Sequence, residues 1–419
     1  MFINKNFSLM WFFNFTSILN GRFRELVIPL IILGLTSSPL ITALVALSQQ
    51  LGAILFSIPI GTWLETKNKI VVATISNFLY GLCLFLLAFI FSFDEVNSFI
   101  SAGILFIMGI LALFSRTAFA AMIPAVSGRE NLLKAHTSLE GADAICTIIG
   151  PVLGGVLLSQ IGASPTLIIC GVLSIVGMMF ISLIKITEKK QHKKIDEETA
   201  SKKSKIVATF VNNSIKGISV LFSNPPQIII SLSHCVLSFA TVFIPLTIIF
   251  HANITLNLSA GEIGIILSCA GIGNLIGVLI MKWFKNANWL YFLSSLMVIS
   301  SLGVLMVCLS ENFYIICAGM IFFDGALSMA FVAQISVHQG ITPDNYLTRI
   351  RSATFVTGGI SAMLGTFLAG IIPEFFSSLS SLVIGFVFLF LPAIAMLKYH
   401  KFSVNFKKIK PIKIETEEA

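Results

Sequence analysis

The chain has 419 residues, 56% of them hydrophobic and only 11% charged, where soluble domains carry about 25% charged residues. A soluble fold of this composition would leave large apolar faces in water, so the composition excludes one and implies a membrane protein. The net charge of +8 does not imply nucleic acid, because all but three of the 27 Lys and Arg stand between apolar runs, at their edges or beyond them.

Twelve apolar stretches of the length that crosses a bilayer, about 20 residues or more, are expected near 8–33, 41–63, 70–92, 99–125, 137–160, 165–186, 227–250, 260–281, 289–309, 313–337, 352–372 and 376–397. The first is interrupted by NGRFRELVIP, residues 20–29, which places Arg22, Arg24 and Glu25 inside it. Arg22 and Glu25 are three apart, so they share a helix face and can neutralise each other. Arg24 lies roughly 200° from Arg22 at ~100° per residue and needs a different partner. Charges at this depth cost several kcal/mol unless they pair or meet water, so they are expected to face other helices. Two readings stay open: a structural ion pair locking the first span to its neighbours, or a cavity lining in which Glu25 exchanges protons.

Farther along, Arg116 lies in the fourth span, and Glu140 and Asp143 lie in the first two turns of the fifth. The three are expected at comparable depth, with Arg116 paired to one of the acids. Asp324 lies in the middle of the tenth span, where a carboxylate can take up and release a proton or serve as a neutral, hydrogen-bonded structural group. His234 in the seventh span is either a proton relay or a packed, hydrogen-bonded histidine. The seven cysteines are scattered through apolar runs without a C-x-x-C pair, so they read as packing residues. No metal site or cofactor is expected. No H-E-x-x-H, Gly-x-Ser-x-Gly or P-loop pattern is present, which argues against an enzyme.

The basic residues alternate by connector. They fall at Lys5, Lys67 and Lys69, Arg129 and Lys134, between Lys185 and Lys216, at Lys282 and Lys285, at Arg349 and Arg351, and from Lys398 to Lys413. The alternate connectors hold none. Because positive residues stay on the cytoplasmic side, both termini and the central loop are expected in the cytoplasm of a cell-membrane protein. Residues 185–205 read as a charge-rich linker, and 206–222 as an amphipathic helix on the inner leaflet. No cleavable signal is expected at the N-terminus.

The halves resemble each other. SPLITALVALSQQLGAIL (38–55) aligns with SAGEIGIILSCAGIGNLI (259–276), pairing Gly52 with Gly273, and GPVLGG (150–155) aligns with GTFLAG (365–370). Six spans, a basic linker and six related spans match the parallel repeats of certain secondary transporters. The expectation is an all-α polytopic membrane protein with 12 transmembrane helices in two pseudo-symmetric six-helix bundles. Its parts would be bundles at 1–186 and 227–398, a linker with its interfacial helix at 187–226, and a tail at 399–419.

NGRFRELVIPLIILGLTSSPL in the first span, GTWLETKNK (61–69), AAMIPAVSGRENLLKAHTSL (120–139), IIGPVLGG (148–155) and KGISVLFSNPP (216–226) together carry a family likeness. The chain resembles the major facilitator superfamily, and within it the drug/proton antiporters that include macrolide-efflux and siderophore-export proteins. The resemblance implies a proton-coupled exporter of an amphiphilic small molecule, or a carrier of a siderophore or lipid-like metabolite, working as a monomer among membrane lipids. It also implies a cytoplasmic gate in which Gly61, Glu65 and Lys69 of the loop motif meet Arg349 and Arg351 at the start of the eleventh span. Trp63 and Ile70 depart from that motif. The fifth-span antiporter signature is kept at Gly150, Pro151, Gly154 and Gly155, with Cys146 in its first place. Relatives often carry Asp where Gly21 stands, so their first-span acid is missing here or has moved to Glu25.

Overall fold

A computed structural model describes residues 3–64, 67–93, 97–128, 131–185, 222, 224–343 and 347–411. The described residues form helices α1 (Lys5–Thr36), α2 (Pro39–Leu55), α3 (Ser57–Leu64), α4 (Lys69–Ile90), α5 (Ser98–Ser127), α6 (Leu132–Ile161) and α7 (Ala163–Ser182). After the linker come α8 (Pro225–Phe250), α9 (Ala260–Ile280), α10 (Trp289–Leu309), α11 (Phe313–Ile341), α12 (Leu347–Phe375) and α13 (Ser378–Met396). With α2 and α3 counted as one pass, they make the twelve expected spans of a multi-pass membrane protein.

Ten helices among the described residues are long and apolar enough to cross a membrane. The two other passes depart for identifiable reasons. Helix α1 has 32 residues, about 48 Å at 1.5 Å per residue, but Arg22, Arg24 and Glu25 break its apolar run. The second pass is broken after Leu55, where Phe56 leaves the helix with φ −98° and ψ 3°. Pro59 has no N–H to offer the Leu55 carbonyl four residues back, so the chain restarts as α3.

Several helices run past the expected spans, and the start of α1 is set by a cap and not by the edge of the apolar run. Asn4 Oδ1 accepts from the Phe7 N–H at 2.8 Å, three residues ahead of the apolar stretch. Asn68, Asn97, Asn312 and Ser377 cap α4, α5, α11 and α13 in the same way.

The chain divides into two compact units, Met1–Lys193 with Ile249–Ser268, and Lys194–Ile248 with Cys269–Ala419. In the first, α1 packs along α6 and α7, α4 along α5 and α7, and α2 along α5. One apolar cluster gathers Phe23, Val27, Ile31, Leu84, Met108 and Leu167; a second gathers Phe7, Met10, Phe13, Met122, Ala142 and Ile181. Helix α1 feeds the second cluster with residues 7–13 and the first with residues 23–32, so Asn20 and Arg22 fall at the join. A buried polar tie joins α4, α5 and α7: Asn77 Nδ2 donates to Ser115 Oγ at 2.6 Å, and Ser174 Oγ donates to the Asn77 carbonyl at 2.9 Å.

In the second unit α10 packs along α11 and α13. Ser300 Oγ donates to the Phe323 carbonyl at 2.9 Å and Ser294 Oγ to the Ala393 carbonyl at 2.7 Å.

Candidate functional site

Helix α1 presents its charges on two faces, as their spacing requires. Arg22 Nη1 stands 3.1 Å from Glu25 Oε2, one turn along, and Arg22 Nη2 stands 3.5 Å from Asp143 Oδ1 on α6. One guanidinium thus serves two carboxylates. Its side chain is 31% exposed, whereas Glu25 is 66% and Asp143 41% exposed, so the acids are the open members.

The expected pairing of Arg116 with Asp143 or Glu140 is corrected here. Asp143 takes its basic partner from α1, while Arg116 is exposed on α5 and pairs with neither Asp143 nor Glu140. The cause is the close approach of α6 to α1. A Cβ on Gly150 would stand 2.5 Å from Arg22 Cβ, and one on Gly154 would stand 3.3 Å from Phe23 Cα. With no side chains at these two places, α6 settles on α1 and brings Asp143, two turns before Gly150, to the Arg22 head group. Within the same unit, Gly155 abuts the Ala260 backbone and Gly264 the Pro151 carbonyl, so the remaining glycine of the signature packs α6 against the first turns of α9.

Arg24 finds neutral partners. Its Nη1 donates to Gln49 Oε1 at 3.4 Å, and its Cζ lies 5.0 Å from the centroid of the Tyr80 ring. Arg24 Nε and the Tyr80 hydroxyl are buried without a hydrogen-bond partner among the described residues. Asn20, one turn before Arg24, is 3% exposed and donates to the Cys170 carbonyl at 3.1 Å. Sequence reasoning missed Gln49, Tyr80 and Asn20. The available signal was polar atoms in the middle of apolar runs, with Gln49 half of the conspicuous Gln49-Gln50 pair.

The other candidates are dispersed. Glu140 is exposed on α6, and Asp324 is half-buried in the middle of α11 in the second unit. Of the expected gate, Gly61 belongs to α3 and Lys69 opens α4, while Glu65 lies outside the described residues. Arg349 and Arg351 lie in α12, but their side chains are outside the description. Residues 186–221, which hold nearly all of the expected linker and interfacial helix, lie outside it as well.

His234 belongs to a second polar cluster that sequence reasoning did not assemble. Its Nε2 stands 3.5 Å from Ser238 Oγ, and its ring meets Phe331 of α11 edge-on, with centroids 6.3 Å apart. On α11, Gln334 Nε2 stands 3.4 Å from His338 Nδ1, and both residues are buried. A Cβ on Gly358 of α12 would stand 2.5 Å from His234 Nε2.

The sequence matches the family profile described as Major Facilitator Superfamily over residues 10–366. No curated protein matches it. Among solved structures, a bacterial metal transporter aligns with TM-score 0.71 at 12% identity, covering 96% of this chain and all of the other. The nucleoside transporter NupG aligns with TM-score 0.70 at 14% identity, covering 94% of this chain and 99% of its own. A bacterial homologue of the iron transporter ferroportin aligns with TM-score 0.69 at 13% identity, covering 94% and 98%. At such identities the likeness is one of fold.

Proposed function

The chain belongs to the Major Facilitator Superfamily, and on that premise we propose that it is a proton-coupled exporter of an amphiphilic small molecule, working by alternating access. The observation that carries the reading is one half-buried guanidinium shared by two more exposed carboxylates on α1 and α6. An ion pair this open contributes only about 0–1 kcal/mol to stability, too little to account for three charges inside a membrane span. Charges at such depth persist where water reaches them and commonly mark ion and substrate pathways.

The sharing supplies a proton-exchange step. When Glu25 takes up a proton, Arg22 keeps its ion pair with Asp143. When Asp143 takes it up, Arg22 turns to Glu25. In either state one neutral carboxyl faces the open side of the cluster, where a polar group of the substrate competes with the proton for it. Asp324 in the second unit is a further proton-carrying candidate.

The test is uptake into inverted membrane vesicles under an imposed pH gradient without ATP, across a panel of dyes, macrolides and siderophores. Gradient-dependent uptake of an amphiphilic drug-like compound is expected. Uptake indifferent to the gradient contradicts proton coupling, and selective uptake of a siderophore reassigns the cargo. For orientation, engineered cysteines near Glu262 are expected to react with an impermeant reagent in intact cells and those near Lys194 not to. Labelling at Lys194 contradicts cytoplasmic placement of the linker.

A further inference from the structure

The residues after the last span do not simply trail away from it. From Leu397 they turn through a 3-10 helix to Phe402, and the chain then lies against the connector between α9 and α10. Trp289, 1% exposed, anchors it, its Nε1 donating to the Phe402 carbonyl at 3.2 Å and its N–H to the Val404 carbonyl at 3.0 Å. The Phe406 N–H donates to the Ala287 carbonyl at 3.1 Å, and Asn405 Nδ2 donates to the Asn286 carbonyl. Phe406 meets Phe292 edge-on, with centroids 6.0 Å apart. Beyond that, Ile409 lies over Gly340 near the end of α11, where an added Cβ would stand 2.8 Å from Ile409 Cγ2. The segment is a strap pinned across the ends of three spans.

The outer side of this strap is basic and aromatic. Lys398, Lys401, Lys407, Lys408 and Lys410 are all exposed, as are Lys282 and Lys285 on the connector it grips. Trp283 is exposed to 72%, with Tyr399 and Phe402 also open. Neither residues 281–289 nor 397–411 contain an acid. Because α9, α10, α11 and α13 begin or end here, this surface lies at the level where a bilayer meets water. Amphipathic rings settle at that level, and lysines lay their stems over apolar surface while their ammonium groups reach the phosphates. Topology alone asks only that positive charge stay on one side. It does not ask that the lysines be held on a hydrogen-bonded scaffold among aromatic rings.

We propose that this strap is a docking surface for anionic phospholipid head groups, which fasten it and steady the second unit at the membrane face. Basic clusters just outside a span draw anionic lipid, with a strength that salt screens. A lipid that binds the folded protein raises its thermal stability.

The experiment uses the purified full chain in mild detergent, with phosphatidylglycerol or phosphatidylcholine added, and reads the thermal midpoint. Wild type is expected to gain more from phosphatidylglycerol than from phosphatidylcholine, with the difference collapsing in high salt. Lys398→Gln, Lys401→Gln, Lys407→Gln and Lys408→Gln combined should lose more than half of that difference. Should the quadruple variant not fold, the pair Lys407→Gln and Lys408→Gln near the chain end should show a smaller loss. Asn405→Ala keeps every charge but releases the strap, and should also reduce the difference. Retention of the full wild-type preference in the lysine variants overturns the proposal. Retention in Asn405→Ala alone overturns the pinned geometry.

Discussion

The two related halves use the same glycines for the same contacts, then part company over charge. Gly52 on α2 abuts the Phe106 carbonyl of α5, and its counterpart Gly273 on α9 abuts the Ile321 carbonyl of α11. Gly150 on α6 abuts Arg22 of α1, and its counterpart Gly365 on α12 abuts the Phe239 carbonyl of α8. The second pass therefore meets the fourth, and the fifth meets the first, in each half. What the approach brings together differs. In the first half it delivers Asp143 to a guanidinium, while in the second it meets the backbone of Phe239, whose ring sits in an aromatic cluster with centroids 4.9 Å from Phe243 and 4.2 Å from Phe388. The repeat supplies the packing, and the departure from the repeat supplies the candidate chemistry.

The comparison is broken most directly at the backbone contacts. Gly52→Val and Gly273→Val each drive a branched side chain into a neighbouring carbonyl that cannot rotate away. Overpacking of this kind costs about 1–3 kcal/mol or more. Both variants should lose membrane abundance and thermal stability to a similar degree. Wild-type stability of either one contradicts the shared packing role.

A smaller substitution separates packing from chemistry. Gly150→Ala presses on Arg22 Cβ and should lower transport several-fold, beyond any fall in abundance, because it tilts the guanidinium away from Asp143. Gly365→Ala presses on the Phe239 backbone and should lower abundance and transport in proportion. Proportional losses in both variants would remove the distinction between the halves. The smallest effect is expected at Gly141, where a Cβ meets nothing within 4 Å. Gly141→Ala should be neutral in transport and slightly stabilising, by roughly 0.5–1 kcal/mol, because alanine loses less freedom in a helix.

Much of this architecture is legible in the sequence, because bilayer thickness fixes span length and the alternation of Lys and Arg fixes the connectors. The pairing of Gly52 with Gly273 and of Gly150 with Gly365 was readable from self-alignment alone. The Arg22–Glu25 contact follows from a three-residue spacing on one helix. The partner of Asp143 does not follow, since which helix approaches it depends on where small residues open a groove, and depth alone suggested Arg116. Arg24 was seen to need a partner on another face. Gln49 and Tyr80 lie on helices whose rotation about their own axes no local pattern specifies. The same limit hid His338 and Gln334 beside His234, residues about a hundred positions apart that meet only when α8 and α11 pack.

The central claim is that the charges of the first span carry protons and do more than hold α1 to α6. Its most direct measurement is pH-gradient-driven uptake into inverted vesicles by the double variant Arg22→Gln with Glu25→Gln, compared with Asp324→Asn at matched abundance. Because Asp143 also pairs with Arg22 and loses that partner, a triple variant adding Asp143→Asn, which removes that carboxylate's charge, serves as the control for the double variant. The account predicts that the double variant still binds substrate but loses gradient-driven uptake. Full uptake by the double variant contradicts the claim, reducing Arg22 and Glu25 to a structural pair and leaving Asp324 as the acid to pursue.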